Sequence, residues 1–169
     1  MTSKPIVQGV RQVGLSAEAP EVLAEFYQGV PGLHIVGQGE VTPDGVMSSV
    51  FLSNWPQEQR HQLVIYANPE IRHTAIQVDS LASLQTLYQR VVDRGLPIRW
   101  VLNHGVSLAF YFSDPASNLI KLYWPTGIAY PQPHGHPIDL NQSEAALRQD
   151  VANLMAQFKL SKEGNSGLA

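Results

Sequence analysis

The residues best suited to chemistry cluster between positions 73 and 121. His73 and His104 carry imidazoles, which can move a proton or bind a metal near neutral pH. Tyr111 adds a hydroxyl, and Lys121 an ammonium that stays charged at pH 7 with an ordinary pKa of about 10.4. Gln12 and Tyr123 add neutral hydrogen-bonding groups. One fixed cation among several donors suits an anion such as a carboxylate, a phenolate or an enolate. Each residue also has a plainer reading: His73 as a hydrogen-bonded strand histidine, Lys121 as a solvent-facing lysine, and His104 as part of an Asn103-His104-Gly105 turn. His61 opens an apolar run and is a spare ligand. His134 and His136 are close enough to share a metal, although such pairs more often lie in solvated loops.

Other chemistry is excluded by what is missing. There are no cysteines, so disulfides, zinc-thiolate sites and thiol nucleophiles drop out. No Ser-His-Asp order, glycine-rich phosphate loop or HExxH helix is present. The formal net charge is -3 and the basic residues do not cluster, which argues against nucleic acid or an anionic membrane surface as partner. Positions 1–8 lack a signal-peptide core, and no apolar run is long enough for a membrane helix, so a cytoplasmic protein is expected. The length of 169 residues, 44% hydrophobic, allows one domain or two small units sharing a core.

An internal repeat supplies the elements that position these residues. At one constant offset Arg11 meets Arg72, Leu23 meets Leu84, Tyr27 meets Tyr88 and Val30 meets Val91. At slightly shorter offsets Phe51–Asn54 meets Tyr111–Asp114, and Leu63–Tyr66 meets Ile120–Tyr123. Each copy reads as strand, helix and three strands. In the first, a strand over Gly9–Ala17 precedes a helix with Pro20 at its first position and a stripe of Val22, Leu23, Phe26, Tyr27 and Val30. Strands follow near Leu33–Gly37, Gly45–Ser53 and His61–Ala67. In the second, a strand over Arg72–Val78 leads to a helix capped by Asp79 or Ser80, with Leu81, Leu84, Leu87, Tyr88 and Val91 buried. Strands follow near Ile98–Leu102, Val106–Ser113 and Asn118–Tyr123. Strand alternation puts Leu119, Lys121 and Tyr123 on one face and Ile120 and Leu122 on the other. With helices over the Ile and Leu face, Lys121 points into the concave side.

The expected division is an arm over 1–8, units over 9–68 and 69–125, and a tail over 126–169. That tail is extended and rich in Pro, Gly and His, then helical over about 139–160, with a disordered end. The stripe of Leu147, Val151, Leu154, Met155 and Phe158 either packs on its own chain, which is favoured, or forms a dimer contact.

Three stretches carry a family resemblance: RQVGLSA at 11–17, RHTAIQV at 72–78 and HGVSLAFYFSDPASNLIKLYWP at 104–125. The last is similar to the signature of type I extradiol dioxygenases, a His-Gly, a Tyr, an Asp-Pro-x-Gly-Asn and a glutamate three residues after the Asn. Asp114, Pro115 and Asn118 match, while Ser117 replaces the glycine and Lys121 the glutamate. The chain therefore resembles the vicinal oxygen chelate superfamily of glyoxalases, bleomycin-resistance proteins and extradiol dioxygenases. The resemblance implies an α+β fold of tandem βαβββ units, with mixed curved sheets, helices on the outer face and, here, an added C-terminal helix.

The resemblance also implies a facial triad of two histidines and one carboxylate. Its positions fall at Gln12, His73 and Lys121, and a fourth glyoxalase ligand falls at Val64. A glutamine oxygen can bind zinc or nickel, and some glyoxalases are similar in using one there. An ammonium has no lone pair and repels a cation. His104 and Tyr111 fall where dioxygenases keep acid–base and substrate-binding groups.

Two functions follow. In the first, the metal site is degenerate, no cofactor is expected, and His73, Lys121, Tyr123 and Gln12 bind a small anionic or aromatic molecule, as in metal-free bleomycin-resistance-like proteins. The alternative is an enzyme. It is either a catechol-type ring-cleavage dioxygenase or glyoxalase-like lyase using Fe²⁺ or another divalent metal, with His61 or His104 recruited, or a catalyst built on His104, Tyr111 and Lys121 that polarises an enol or carbonyl. A structural role through the C-terminal helix is a third reading. A homodimer is expected from the resemblance alone.

Overall fold

The computed structural model describes residues 7–40, 48–57 and 61–166. Residues 1–6, 45–47 and 167–169, which carry parts of the expected arm, of one strand and of the expected disordered end, lie outside the described residues.

The first unit comprises β1 (Val7–Ser16), α1 (Pro20–Gly29), β2 (His34–Glu40), β3 (Ser48–Ser53) and β4 (Leu63–Tyr66). A single 3₁₀ turn over Pro69–Ile71 leads to the second unit. That unit comprises β5 (Thr74–Val78), α2 (Leu81–Asp93), β6 (Ile98–Asn103), β7 (Ser107–Ser113) and β8 (Leu119–Pro125). A short β9 (His136–Pro137) and a long α3 (Glu144–Ser166) follow. One nine-stranded sheet runs β2-β3-β4-β1-β5-β8-β7-β6-β9. The first eight positions read the same outward in either direction from the antiparallel β1–β5 junction, as a sequence repeat demands. At that junction Gly14 is squeezed against the next strand. A methyl group there would lie 2.8 Å from the His73 backbone nitrogen and oxygen, so the absence of a side chain lets the units close.

Helices cover one face of the sheet. Pro20 opens α1 with φ preset and no amide to satisfy. Ser80 caps α2 by accepting from the Ser83 amide at 3.1 Å. Leu81, Leu84 and Val91 of α2 pack with Val78, Leu108, Phe110 and Leu122. Ala24, Leu23 and Tyr27 of α1 pack on Val50, Leu52 and Ile65. The α1 stripe seen in the sequence is wider than the sheet can cover. Val22, Phe26 and Val30 are 66%, 53% and 71% exposed. They sit one position round from Leu23 and Tyr27, and the sheet meets only one of those rows.

On the opposite, concave face, Ala109, Tyr111 and Leu119 form a second cluster with Trp100, Leu102 and Tyr123. Leu122 meanwhile packs under α2. Lys121 is thereby placed on the concave side. The turn before β8 fixes that register. Asp114 Oδ1 accepts from the Ala116 and Asn118 amides, both at 2.9 Å, and Oδ2 accepts from Asn118 Nδ2. Those bonds hold the Asp114 carboxyl below its ordinary pKa. Ser117 sits at φ 66, in the left-handed region where the related signature has glycine.

Residues 126–137 are not a free tail. They strap across the second unit and end in β9, whose Leu102–Pro137 and Asn103–His136 pairs extend the sheet past β6. Gly105, at φ 77, lets the strap lie close: a methyl group there would stand 2.5 Å from the Tyr130 ring. α3 starts at Glu144, not Asp139, because Ser143 supplies the cap by accepting from the Ala146 amide at 3.2 Å. The helix runs on through Ser166. Its Leu147, Val151 and Leu154 are buried against its own chain. Replacing Gly105 with Ala combines a strained φ with a clash, and a loss of about 2 kcal/mol is expected. Urea unfolding of Gly105→Ala measures it, and an unchanged midpoint would contradict this account of the strap.

Candidate functional site

The concave face encloses a cavity of about 640 Å³, within the range of roughly 300–1,000 Å³ typical of small-molecule sites. Both units and the strap contribute walls. Gln12, Phe51, His61 and Tyr66 come from the first unit. His73, Trp100, His104, Tyr111 and Lys121 come from the second, and Gln132 to Gly135 from the strap.

Lys121 lies at the centre of this chemistry. Its Nζ stands 5.5 Å from the centroid of the Tyr111 ring and 5.4 Å from that of Tyr123, close enough for cation–π attraction. No carboxylate lines the cavity or pairs with this ammonium among the described residues. Burial lowers its pKa from 10.5 to about 8.

His73 is buried. Its Nδ1 donates to the Ile71 carbonyl at 2.8 Å, which leaves Nε2 as the bare lone pair. That Nε2 is buried and has no hydrogen-bond partner. A buried polar atom without a partner costs on the order of 1–3 kcal/mol, so its retention needs a reason. Burial first, and the Lys121 charge second, lower the His73 pKa to about 4. The same two causes, in the same order, bring His61 to about 4. The His61 ring lies 4.7 Å from that of Phe51.

His104 and Tyr111 form a pair. The Tyr111 hydroxyl donates to His104 Nε2 at 3.0 Å, while His104 Nδ1 donates to the His134 carbonyl at 2.5 Å. The strap carbonyl thus sets the tautomer that lets His104 accept the tyrosine proton. Burial, then the Lys121 charge, push His104 down to about 3. Burial also raises Tyr111 well above its ordinary range. His134 lines the cavity wall, while His136 points away to a different job. His136 Nε2 donates to Asp150 Oδ2 at 2.9 Å, and Asn103 Nδ2 donates to the same oxygen at 2.7 Å, pinning the strap to α3.

Of the residues singled out in the sequence, the structure gathers Gln12, His73, His104, Tyr111 and Lys121 around one cavity, and His61 joins them. Tyr123 stands beside Lys121, off the cavity wall, with its hydroxyl donating to Gln77 Oε1 at 3.3 Å. Tyr66 and Trp100 were not anticipated. Tyr66 had a signal, being the repeat mate of Tyr123. The strap residues had none, because only the folded tail brings them there.

No family model matches the chain. Solved structures do match. A Mn(II)-bound glyoxalase from Novosphingobium aromaticivorans superposes with a TM-score of 0.58 at 20% identity, over 71% of this chain and 40% of that one. Methylmalonyl-CoA epimerase from Mycobacterium tuberculosis does so with a TM-score of 0.54 at 18% identity, over 75% of this chain and 93% of that one. The chain has the vicinal oxygen chelate fold. Among curated sequences, biphenyl-2,3-diol 1,2-dioxygenase 2 of Rhodococcus globerulus is 24% identical over 113 residues, 60% of this chain and 55% of the relative. The chain spans about half the length of the curated relatives it matches.

One neighbour of this fold, the glyoxalase, is Mn(II)-bound, so the donor set here must be tested for a divalent metal. His73 Nε2 fits: it is unprotonated, oriented and unpartnered. The other positions do not. Gln12 is a neutral amide engaged with the Tyr66 hydroxyl. Val64 has no donor atom, and Lys121 brings a positive charge. Among the described residues no three His, Cys, Asp or Glu side chains come together as a ligand group. The residues present therefore do not fit a divalent cation. No helix among the described residues is long and apolar enough to cross a membrane.

Proposed function

We propose that the chain binds a small anionic aromatic molecule, such as a phenolate or aromatic carboxylate, in the concave cavity without a metal ion. The observation that carries this reading is the Lys121 ammonium, held inside the cavity between two tyrosine rings and given no carboxylate partner among the described residues. A half-buried charge with no counter-ion is costly, and an anionic ligand supplies the missing partner. His73 Nε2 accepts a hydrogen bond from a ligand hydroxyl, which removes the second uncompensated group. Trp100, Tyr66 and Phe51 give a planar ring its walls. We take the working form to be cytoplasmic, and a homodimer as the family resemblance implies, with the tail helix part of each subunit.

The test is calorimetric titration with salicylate and with the neutral analogue salicyl alcohol. The anion is expected to bind at least tenfold more tightly at pH 7. Its affinity should fall above about pH 8, as Lys121 loses its proton. Equal affinities, or no binding of either, would sink the proposal.

One observation favours a second reading, metal-dependent ring cleavage or glyoxalase-like chemistry: the His73 imidazole is oriented as a ligating histidine would be. Metal analysis of protein purified without a histidine tag separates the two. About one equivalent of iron, manganese, zinc or nickel per chain decides for the second.

A further inference from the structure

We propose that Lys121 is also a nucleophile, and that its Nζ condenses with the carbonyl carbon of a small aromatic aldehyde or ketone to form a Schiff base in the concave cavity. The inference rests on the cavity being a small-molecule site, and it names a class of substrate that binding alone does not.

Four features of the structure support it. The first is isolation of the amine. A lysine in an ion pair is locked as ammonium, whereas Lys121 has no carboxylate beside it among the described residues. The second is its setting. Two tyrosine rings flank the side chain, and neutral imidazoles face it from other strands: His73 just before β5, His61 just before β4 and His104 just after β6. Desolvation of this kind makes the free amine accessible near neutral pH. The depression of Lys121 to about pH 8 is its expression. The third is the bare His73 Nε2 lone pair, a base with nothing yet to accept. The fourth is the Tyr111–His104 pair, a hydroxyl already committed to a proton path.

The step balances without any oxidant or reductant. The amine lone pair attacks the carbonyl carbon, a C–N bond forms, and the C=O π pair moves to oxygen. The nitrogen gives up a proton, for which His73 Nε2 is the acceptor, and the new alkoxide takes one, for which the Tyr111 hydroxyl is the donor. The nitrogen lone pair then expels the hydroxyl, which leaves as water with the proton that His73 returns, and Tyr111 recovers its own through His104 from the proton that Lys121 shed on becoming the free amine. The product is a positively charged iminium, so the cavity keeps its single cation and still suits a phenolate on the bound ring. A phenolic aldehyde satisfies both halves of the site: carbonyl carbon to the Lys121 amine, and ring oxygen, as phenolate, to the positive charge held there.

The experiment uses the full chain and salicylaldehyde as probe, with cyanoborohydride to reduce any imine and peptide mass spectrometry to locate it. A trapped adduct adds the mass of the aldehyde less one oxygen. At pH 8 labelling of Lys121 is expected to exceed that of the exposed helix residues Lys159 and Lys162 at least tenfold. Its half-maximal pH should lie near 8, against about 10.4 for an ordinary lysine. Lys121→Arg removes the primary amine and is expected to give no trapped adduct at this position. Labelling no greater at Lys121 than at the helix lysines, with salicylate still bound, overturns the nucleophile and leaves the pocket standing. Loss of both overturns both.

Discussion

As pH falls from 6.5 to 4 the protein is expected to lose about 10 kcal/mol of stability, most of what a domain of this size has. Three desolvated imidazoles, one buried and two half-buried, cause this. His61 and His73 have pKa values of about 4 in the folded chain, and His104 about 3. In the unfolded chain each returns to about 6.5. A histidine with a depressed folded pKa binds fewer protons folded than unfolded below pH 6.5, so acid pulls toward the unfolded state. The stability is fully present above pH 6.5 and drains as pH falls toward the folded values. Each imidazole contributes about 1.4 kcal/mol per pH unit across that window, and three together about 4. A total stability of about 5–15 kcal/mol is then consumed within a few pH units. Urea midpoints measured from pH 7.5 down to 4.5 check this. A profile flat over that range would mean that the imidazoles are open to water. His61→Phe should make the acid limb shallower by about a third.

Lys121→Met is expected to make the protein more stable and to weaken its affinity for aromatic acids at least tenfold. The lysine pKa is lowered from 10.5 to about 8 by burial. The folded chain therefore pays for the charge at every pH below 8, and the penalty fades as pH rises toward 10.5. The depression corresponds to roughly 3 kcal/mol. The side chain keeps partial contact with solvent, and methionine forfeits the cation–π contacts, so a net gain of about 1–2 kcal/mol at pH 7 is the reasonable figure. The gain should disappear at pH 10. The variant should also soften the acid limb, since the Lys121 charge is the second cause of depression at all three histidines. Salicylate affinity should drop at least tenfold, about 1.4 kcal/mol. Higher stability with weaker binding is the signature of a side chain kept for function at the expense of the fold. A variant that is less stable and still binds would overturn the assignment.

Much of this site was legible before any coordinates. The repeat pairs such as Tyr27 with Tyr88 implied two like units, and the sheet order mirrors itself about β1 and β5 accordingly. Alternation along β8 placed Lys121 opposite Leu122, and the structure has Leu122 under α2 and Lys121 in the cavity. Those inferences worked because a strand has a strict period of two and each face has one environment. The α1 stripe was less informative. Val22, Leu23, Phe26, Tyr27 and Val30 are all apolar, and nothing in a helical period says which row meets the sheet.

The chain's own order of residue types determined the two-unit architecture, the concave direction of Lys121 and the amine standing where relatives of this signature carry a carboxylate. Tertiary structure alone decided that the tail returns as a strap, with His136 and Asn103 both bound to Asp150 on α3 and the His134 carbonyl orienting His104. It also decided that three imidazoles are driven neutral and that His73 Nε2 is left bare. Local patterns repeat over a few residues and can be read one element at a time. Burial and desolvation are sums over every neighbour in space, and those neighbours come from β1, β7, β8 and a strap more than a hundred residues from the first of them.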